Sequence, residues 1–398
     1  MPNQDKLKSY YILLVIGIIL VAFNLRPAIT SVGPLLGIIR DDIGLSNWSA
    51  GILTSLPLIA FAVMSPVAPK ISNRYTNERT LLLGLILLLF GISVRSISLV
   101  ALLFLGTLFV GLGIAILNVL LPGVIKEKFP TKVGLMTSVY STAMGIFAAT
   151  ASGLSIPFAR GLNWGWQWSL FIWVIPAVFA IVLWIYLSRS NWQKHDVEMK
   201  YVPVSDNRMW KSPLAWQVAC FMGFQSFLFY VTISWLPEIL HAYGASMATA
   251  GWMLSFTQFI GLPASFLVPV IAGKFKSQRG IVLVMAISGI CGYGGLLIGE
   301  SYTTMVISTI LIGVTLSGSF ALALAFLGMR ARNARHAAEL SGMAQSLGYC
   351  LAAVGPMLIG LLYDVTHSWN IPLVTLICVS IMVMLFGMGA GRDKYVLD

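Results

Sequence analysis

Arg26 is the residue whose chemistry most needs an explanation. It lies inside an apolar run, ILLVIGIILVAFNLRPAITSVGPLLGII, at positions 12–39. If that run crosses a bilayer, a guanidinium near its centre costs about 2.5–3.5 kcal/mol on insertion scales. Such a residue is retained with a use: a partner carboxylate, a cluster of carbonyls or a ligand. Acids of matching depth are missing, since Asp41, Asp42 and Glu300 fall outside the apolar runs. Glu238 and Glu339 sit at the ends of theirs. Two readings remain: a structural arginine satisfied by backbone oxygens, or one that binds an anionic or polar solute through charge-assisted hydrogen bonds. Pro27 follows directly. A proline removes one helical hydrogen bond and frees the carbonyl of Phe23. That is a plain kink, or a break that shows polar backbone to a cavity.

Amides form the second set. Asn24 precedes Arg26, and Asn118, Gln225, Gln258 and Gln345 are scattered through later apolar runs. An unsatisfied amide in hydrocarbon costs several kcal/mol, so each must face protein or water. Gluing helix to helix is one use and lining a pathway is the other. Thr30, four residues after Arg26, shares its face approximately, whereas Asn24 sits well round the helix. Tyr140, Tyr230 and Tyr349 offer hydroxyls and ring faces, with packing or interface anchoring as the alternative. Tyr349 is four residues beyond Gln345, on the same face. Trp235 is placed to close one end.

Other chemistries find no support. His195, His241, His336 and His367 all fall in loops, so no histidine proton relay is visible. Serine triads, zinc-ligand spacings and Walker motifs do not occur, so an enzyme, a metal and a cofactor are not expected. Cys220, Cys291, Cys350 and Cys378 are scattered within apolar stretches and read as small buried hydrophobes. Glycines such as Gly111, Gly113, Gly292 and Gly294 read as packing or hinge positions, because nucleotide binding needs a preceding strand.

These side chains must be positioned by membrane helices. Of 398 residues, 58% are hydrophobic and only 10% charged, too few charges to cover a soluble surface. Composition also excludes disorder, collagen and coiled coil. A bilayer-crossing helix needs about 20 mostly apolar residues. The first six such stretches run roughly 10–39, 47–69, 80–97, 99–125, 134–157 and 168–188. The second six run roughly 212–240, 247–272, 280–299, 303–328, 338–362 and 371–391. We number them spans 1 to 12. The first is too long for a signal-peptide core and lacks an A-x-A-like site.

The net charge of +11 has a topological cause. Twenty-one of the 25 Lys and Arg fall on one side of the alternating loops. Arg40, Arg95 and Arg160 fall on the other, and Arg26 lies within a span. By the positive-inside rule both termini are cytoplasmic. The mixed-charge segment 189–211 reads as a cytoplasmic linker between two halves, 1–188 and 212–398. The halves share an internal echo. Shifting by 200 residues lays Ala50-Gly51 on Ala250-Gly251, Ser55 on Ser255 and Pro69 on Pro269. A shift of 207 lays Met136 on Met343 and Gly153 on Gly360.

Several motifs carry a family resemblance: Asn24-Leu25-Arg26-Pro27, Gly223-Phe224-Gln225-Ser226 with Trp235-Leu236-Pro237, Pro263-Ala264-Ser265, the stretch Leu340 to Tyr349, and Gly355-Pro356. The chain resembles the major facilitator superfamily over nearly its whole length, and within it the branch of cyanate permeases and nitroimidazole transporters. One departure is the loop from Lys70 to Arg79. There Asn73 stands where the superfamily usually has an acid, so a charge relay in that loop is not expected. The resemblance implies an all-α polytopic membrane protein of twelve helices in two pseudo-symmetric six-helix bundles, a plasma-membrane carrier working as a monomer, with its site between the halves. It implies a small-molecule substrate and a lipid bilayer as partners, and no nucleic acid.

The expected site comprises Arg26, Asn24, Asn118, Tyr140, Gln225, Tyr230, Gln258, Gln345 and Tyr349. A small planar anion, cyanate-like or carboxylate-like, suits a single positive charge. The alternative is export of neutral or weakly ionising heteroaromatics such as nitroimidazoles, with Arg26 on a nitro group and the aromatics stacking. A sensor or scaffold would carry an added soluble domain, which this sequence lacks. Cation export would need a carboxylate at depth. The topology is testable. With Lys200 and Arg335 cytoplasmic and Asp41 and His367 outside, an impermeant thiol reagent applied to intact cells will label a cysteine at 41 or 367 and not one at 200.

Overall fold

The computed structural model describes the chain except residues 1, 66, 130–132, 190–208, 300, 333 and 398. Among the described residues, twelve helices are long and apolar enough to cross a bilayer. Span 1 is three successive pieces, Pro2–Leu25, Pro27–Thr30 and Val32–Ile43. Spans 2 to 5 are Asn47–Met64, Asn77–Arg95, Val100–Lys128 and Val133–Ile156. Span 6 joins Gly165–Phe171 to Val174–Arg189. Spans 7 to 12 are Pro213–Ala242, Met247–Ala272, Arg279–Ile298, Tyr302–Met329, Ala334–Thr366 and Asn370–Ala390. Most of the expected linker, with Lys194, His195, Lys200 and Arg208, lies outside the described residues.

Serine decides where several spans begin. Ser46, Ser212, Ser246 and Ser301 accept the backbone N–H three residues on, opening spans 2, 7, 8 and 10. These side chains satisfy an N–H that the first turn of a helix leaves without a partner. Ser46 and Ser246 are 200 apart, so the duplicated spans also share their start signal.

The helices form two six-helix bundles, spans 1–6 and 7–12, and their packing tests the duplication directly. In the first bundle span 3 packs on span 4, 2 on 4, 3 on 6, 1 on 6 and 1 on 5. In the second, 9 packs on 10, 8 on 10, 9 on 12, 7 on 12 and 7 on 11. Adding six to each number in the first set reproduces the second. Between the bundles, span 2 packs on 11, 5 on 8 and 1 on 7, and the same operation exchanges the first two contacts and returns the third.

The matched glycines sit at those crossings. A Cβ on Gly51 would lie 2.5 Å from the Pro356 carbonyl oxygen and 2.9 Å from Met357 Cα. Its counterpart Gly251 faces the Ser152 carbonyl. Gly153 lies against Trp252, and its counterpart Gly360 against the Asn47 carbonyl. Small residues let membrane helices approach closely where no hydrophobic force drives them together.

Two expectations are corrected here. Arg95, within the expected span 80–97 but counted with the charges on the outer side, is the last residue of span 3 and is only 1% exposed. Its side chain turns into the bundle. Cys291, Cys350 and Cys378, expected to be buried, lie on the outside, and Cys220 is half-buried. They share that surface with Ile12, Val63, Phe179 and Phe266, all large, apolar and exposed. Only hydrocarbon suits such a belt.

Overpacking a close crossing costs about 1–3 kcal/mol. Gly51→Val is therefore expected to lower the melting temperature of the purified protein. Gly294→Ala, at a glycine with nothing within 4 Å of the added carbon, is expected to leave it nearly unchanged.

Candidate functional site

The site is built on the break in span 1. The first helical piece stops at Leu25, and Arg26 takes φ −111° and ψ −41° before Pro27 opens the next turn. The Arg26 carbonyl accepts from the N–H groups of both Ile29 and Thr30 at 2.9 Å. Span 5 pins the broken segment. Thr30 Oγ1 reaches the Ala148 carbonyl at 3.0 Å, Ser152 Oγ lies 3.2 Å from the Thr30 carbonyl and 3.1 Å from that of Ala148 in its own helix, and Ser155 Oγ lies 3.1 Å from the Ser31 carbonyl while donating at 2.6 Å to that of Ala151 in its own helix. Span 3 pins it as well, through Arg95 Nη1 donating to the Ala28 carbonyl at 2.6 Å. The backbone oxygens that a broken helix exposes are thus taken by side chains.

Arg26 points into a cavity between the bundles of about 950 Å³, counting the part open to solvent. Spans 1, 5, 7, 8, 10 and 11 contribute its walls. The guanidinium lies over the Phe229 ring, 5.0 Å from the centroid, a cation–π contact across the interface. Its Nη1 approaches the Tyr230 hydroxyl at 3.4 Å, a long contact for a hydrogen bond. It has no carboxylate partner among the described residues; the ion pairs there join Arg40 to Asp41 and Glu238, and Lys128 to Glu78.

Gln225 is the complementary group. It is 1% exposed, and its Nε2 donates to Ser226 Oγ at 2.8 Å. Its Oε1 is buried with no partner among the described residues. Buried carbonyl oxygens are nearly always paired, so an orphan on a cavity wall marks a place for an incoming N–H or O–H. Gln258 Nε2 crosses the interface to Ser152 Oγ at 2.9 Å. Tyr349 completes this wall, its ring edge-on to Phe61 at 5.3 Å. Met144, Met222 and Phe320 supply apolar surface.

Of the nine expected site residues, Arg26, Gln225, Tyr230, Gln258 and Tyr349 line this cavity. The other four stand off it. Asn24 Nδ2 is consumed by the carbonyls of Leu20 and Pro176, tying span 1 to span 6. Asn118 is half-buried on span 4, a helix that supplies no residue to the wall. Gln345 donates to Ser341 Oγ one turn back. Tyr140 packs among the apolar side chains of the first bundle. Three hydroxyls on the wall, Ser226, Ser265 and Ser317, had no place in the sequence reading as site groups. Serine is common in membrane helices, and nothing in one dimension separates a serine on a cavity wall from one that bonds its own helix.

Polar contacts close the interface at the end of the bundles opposite the chain termini, the far end. Arg40 Nη1 donates to Asn47 Oδ1 at 2.8 Å and to Glu238 Oε2 at 3.2 Å. Asp364, on span 11, accepts from the Asn47 side chain at 2.7 Å and from the backbone N–H groups of Asn47 and Trp48. A carboxylate from one bundle thereby caps the first turn of span 2 in the other, where the helix dipole favours negative charge. Trp235, expected to close an end, is held inside the second bundle, donating to the Pro356 carbonyl at 3.0 Å.

Two pseudo-symmetric helical bundles around one interfacial cavity are the architecture of a membrane carrier. The sequence matches the Major Facilitator Superfamily over residues 14–352 and 226–395, and the chain belongs to that family. It is 50% identical over 397 residues to the uncharacterized transporter YycB of Bacillus subtilis, covering all of this chain and 97% of that one. It is 40% identical over 383 residues to the 2-nitroimidazole transporter of Escherichia coli, covering 96% of each. It is 26% identical over 357 residues to the cyanate transport protein CynX of E. coli, covering 88% and 90%. Among solved structures, the D-xylose-proton symporter superposes with a TM-score of 0.76 at 17% identity, covering 95% of this chain and 97% of that one.

The far-end contacts have a measurable consequence. Asp364→Ala removes the acceptor for three N–H groups, and a hydrogen bond to a charged group contributes about 1.5–3 kcal/mol. The far end should open more often. A cysteine at Thr54, on span 2 just inside the closure, is expected to react faster with an impermeant thiol reagent added from that side than it does with Asp364 intact.

Proposed function

We propose that this protein carries a small planar solute across the plasma membrane, one that presents an acceptor-rich group such as nitro to Arg26 and a ring N–H or O–H to Gln225. The residues that support this are complementary in sign. Arg26 offers donors without a carboxylate to neutralise them, and the Gln225 oxygen is an orphaned acceptor. Phe229, Tyr230, Phe320 and Tyr349 put aromatic rings on the cavity wall, against which a flat ring can stack. A nitroheterocycle meets all three demands, and the relative at 40% identity is a 2-nitroimidazole transporter. A small anion of the cyanate type is the second reading. Its support is the uncompensated charge of Arg26 and the more distant cyanate transporter.

Transport follows by alternating access. Residues 1–188 rock against 212–398 about the cavity, with the cytoplasmic segment 189–211 joining them. Both termini lie in the cytoplasm on the strength of the Lys and Arg distribution. The far end is then the outer face, and it is closed in this state.

Binding by purified protein tests the site. 2-Nitroimidazole is expected to raise the melting temperature of wild type, imidazole much less, and neither should stabilise Arg26→Ala. Arg26→Lys keeps the charge but loses the planar fork that engages two oxygens at once. Losing one charge-assisted hydrogen bond is expected to weaken binding about tenfold or more. Equal binding by Arg26→Lys would reject fork recognition. Equal binding by Arg26→Ala would return Arg26 to a structural role. Stabilisation by cyanate with no response to 2-nitroimidazole would select the second reading.

A further inference from the structure

We propose that Arg95 forms a second oxyanion position, between the central cavity and the far end, which receives the same two-oxygen group that Arg26 binds. The proposal rests on the reading of Arg26 given above.

Arg95 is 1% exposed, and only its Nη1 is engaged, on the Ala28 carbonyl. Nε and Nη2 are buried with no partner among the described residues. These two nitrogens form one side of the guanidinium, where the N–H bonds run parallel and match two oxygens of a planar anion or nitro group. A single neutral donor would suffice for Ala28. Retaining a full charge and leaving its best recognition edge unused is costly in an apolar wall, and the cost is relieved when an acceptor arrives.

Arg95 lines a smaller cavity with Thr54, Thr107, Ser234 and Tyr230. Tyr230 is also a wall of the central cavity and the hydroxyl nearest Arg26. The two spaces therefore share a partition. Arg95 is fastened to Ala28, two residues beyond Arg26, so both guanidiniums serve the same break in span 1. A solute released by Arg26 toward the far end passes the Arg95 edge next. The smaller space, about 350 Å³ with its open part counted against 950 Å³, has room for little more than a water in this state, and beside it span 1 presses on span 7 where Gly33 meets the Ile233 carbonyl. Parting that contact opens the far end and widens the Arg95 cavity in one movement.

Nitrate, a planar oxyanion, is the probe. The full chain carries Thr54→Cys with its four native cysteines replaced by alanine, in proteoliposomes. An impermeant maleimide is added on the far side, with nitrate or with sulfate at equal ionic strength. At about ten times its Kd, nitrate should slow labelling roughly tenfold by mass action. Arg95→Gln should abolish that protection, and Arg26→Ala should leave it in place. Protection that survives Arg95→Gln, protection lost with Arg26→Ala alone, or a Thr54→Cys thiol that never labels from the far side would each overturn the proposal. The 2-nitroimidazole melting shift checks that Arg95→Gln is folded. If it is not, Arg95→Lys replaces it and is expected to weaken protection severalfold, with unchanged protection counting against the fork. The two readings fail separately: the melting shift and its loss in Arg26→Ala judge the central site, and nitrate protection judges Arg95.

Discussion

A guanidinium inside a hydrocarbon slab has no neutral resting place, and that constraint organises this molecule. Arg26 is half-buried between two bundles, and Arg95 is fully buried in one. Each must be met by oxygen, by a ring face or by a ligand. The break at Arg26-Pro27 supplies the oxygen. A continuous helix would have spent the Ala28 carbonyl internally, but the interrupted one offers it to Arg95, and the Thr30 carbonyl, left without a helical donor by Pro34, lies within reach of Ser152 in span 5. What remains is a charge on Arg26 matched, among the described residues, by the Phe229 face and a long contact to Tyr230. The interrupted hydrogen bonding of span 1 is thus converted into an ordered, positively charged wall.

The duplication determines where that wall can be. Each bundle repeats one packing scheme, and the crossings between them, 2 on 11 and 5 on 8, are exchanged by the same operation. Spans 1 and 7 meet across the centre as counterparts. Their polar residues are not counterparts, however: span 1 brings a cation on a broken backbone, and span 7 brings an amide and two aromatic rings on an unbroken one. Symmetry holds in the scaffold, where the glycines match, and is abandoned in the cavity. A small asymmetric solute requires that division, because a symmetric pocket would offer it the same group twice.

Span number, span limits and the repeat were legible because each leaves a one-dimensional signal: apolar length for the spans and matched residues for the repeat, whereas the serine starts emerged from the structure. Arg26 was legible because a charge at depth has no other context. Which polar residue faces the cavity was much less so. In a soluble helix the polar face marks water, but these spans are apolar all round, and an amide turned to a neighbouring helix looks the same as one turned to a cavity. Asn24 and Gln225 illustrate it. Both are buried amides, yet one finds carbonyl acceptors on its own and a neighbouring span while the other keeps an orphaned oxygen. Arg95 was misplaced for a different reason. It stands at a helix end, where charge counting treats every basic residue as belonging to a loop. Only the tertiary contact with Ala28 reveals that it turns inward.

A carrier must also let go. The seal at the far end uses Arg40, Glu238, Asn47 and Asp364 rather than an apolar plug. The Arg40–Glu238 pair is partly buried, so its attraction is offset by the hydration both partners lose on closing and regain when parted. The tighter glycine crossings add van der Waals contact but bury no charge. A seal of this kind closes specifically and returns hydration to its groups when it parts. A solute shifts the balance between the closed and open states only by its difference in affinity between them. Placing one guanidinium at the centre and a second toward the gate supplies that difference without a titrating carboxylate at depth. The energy that moves the bundles then comes from where the solute's acceptors are best met.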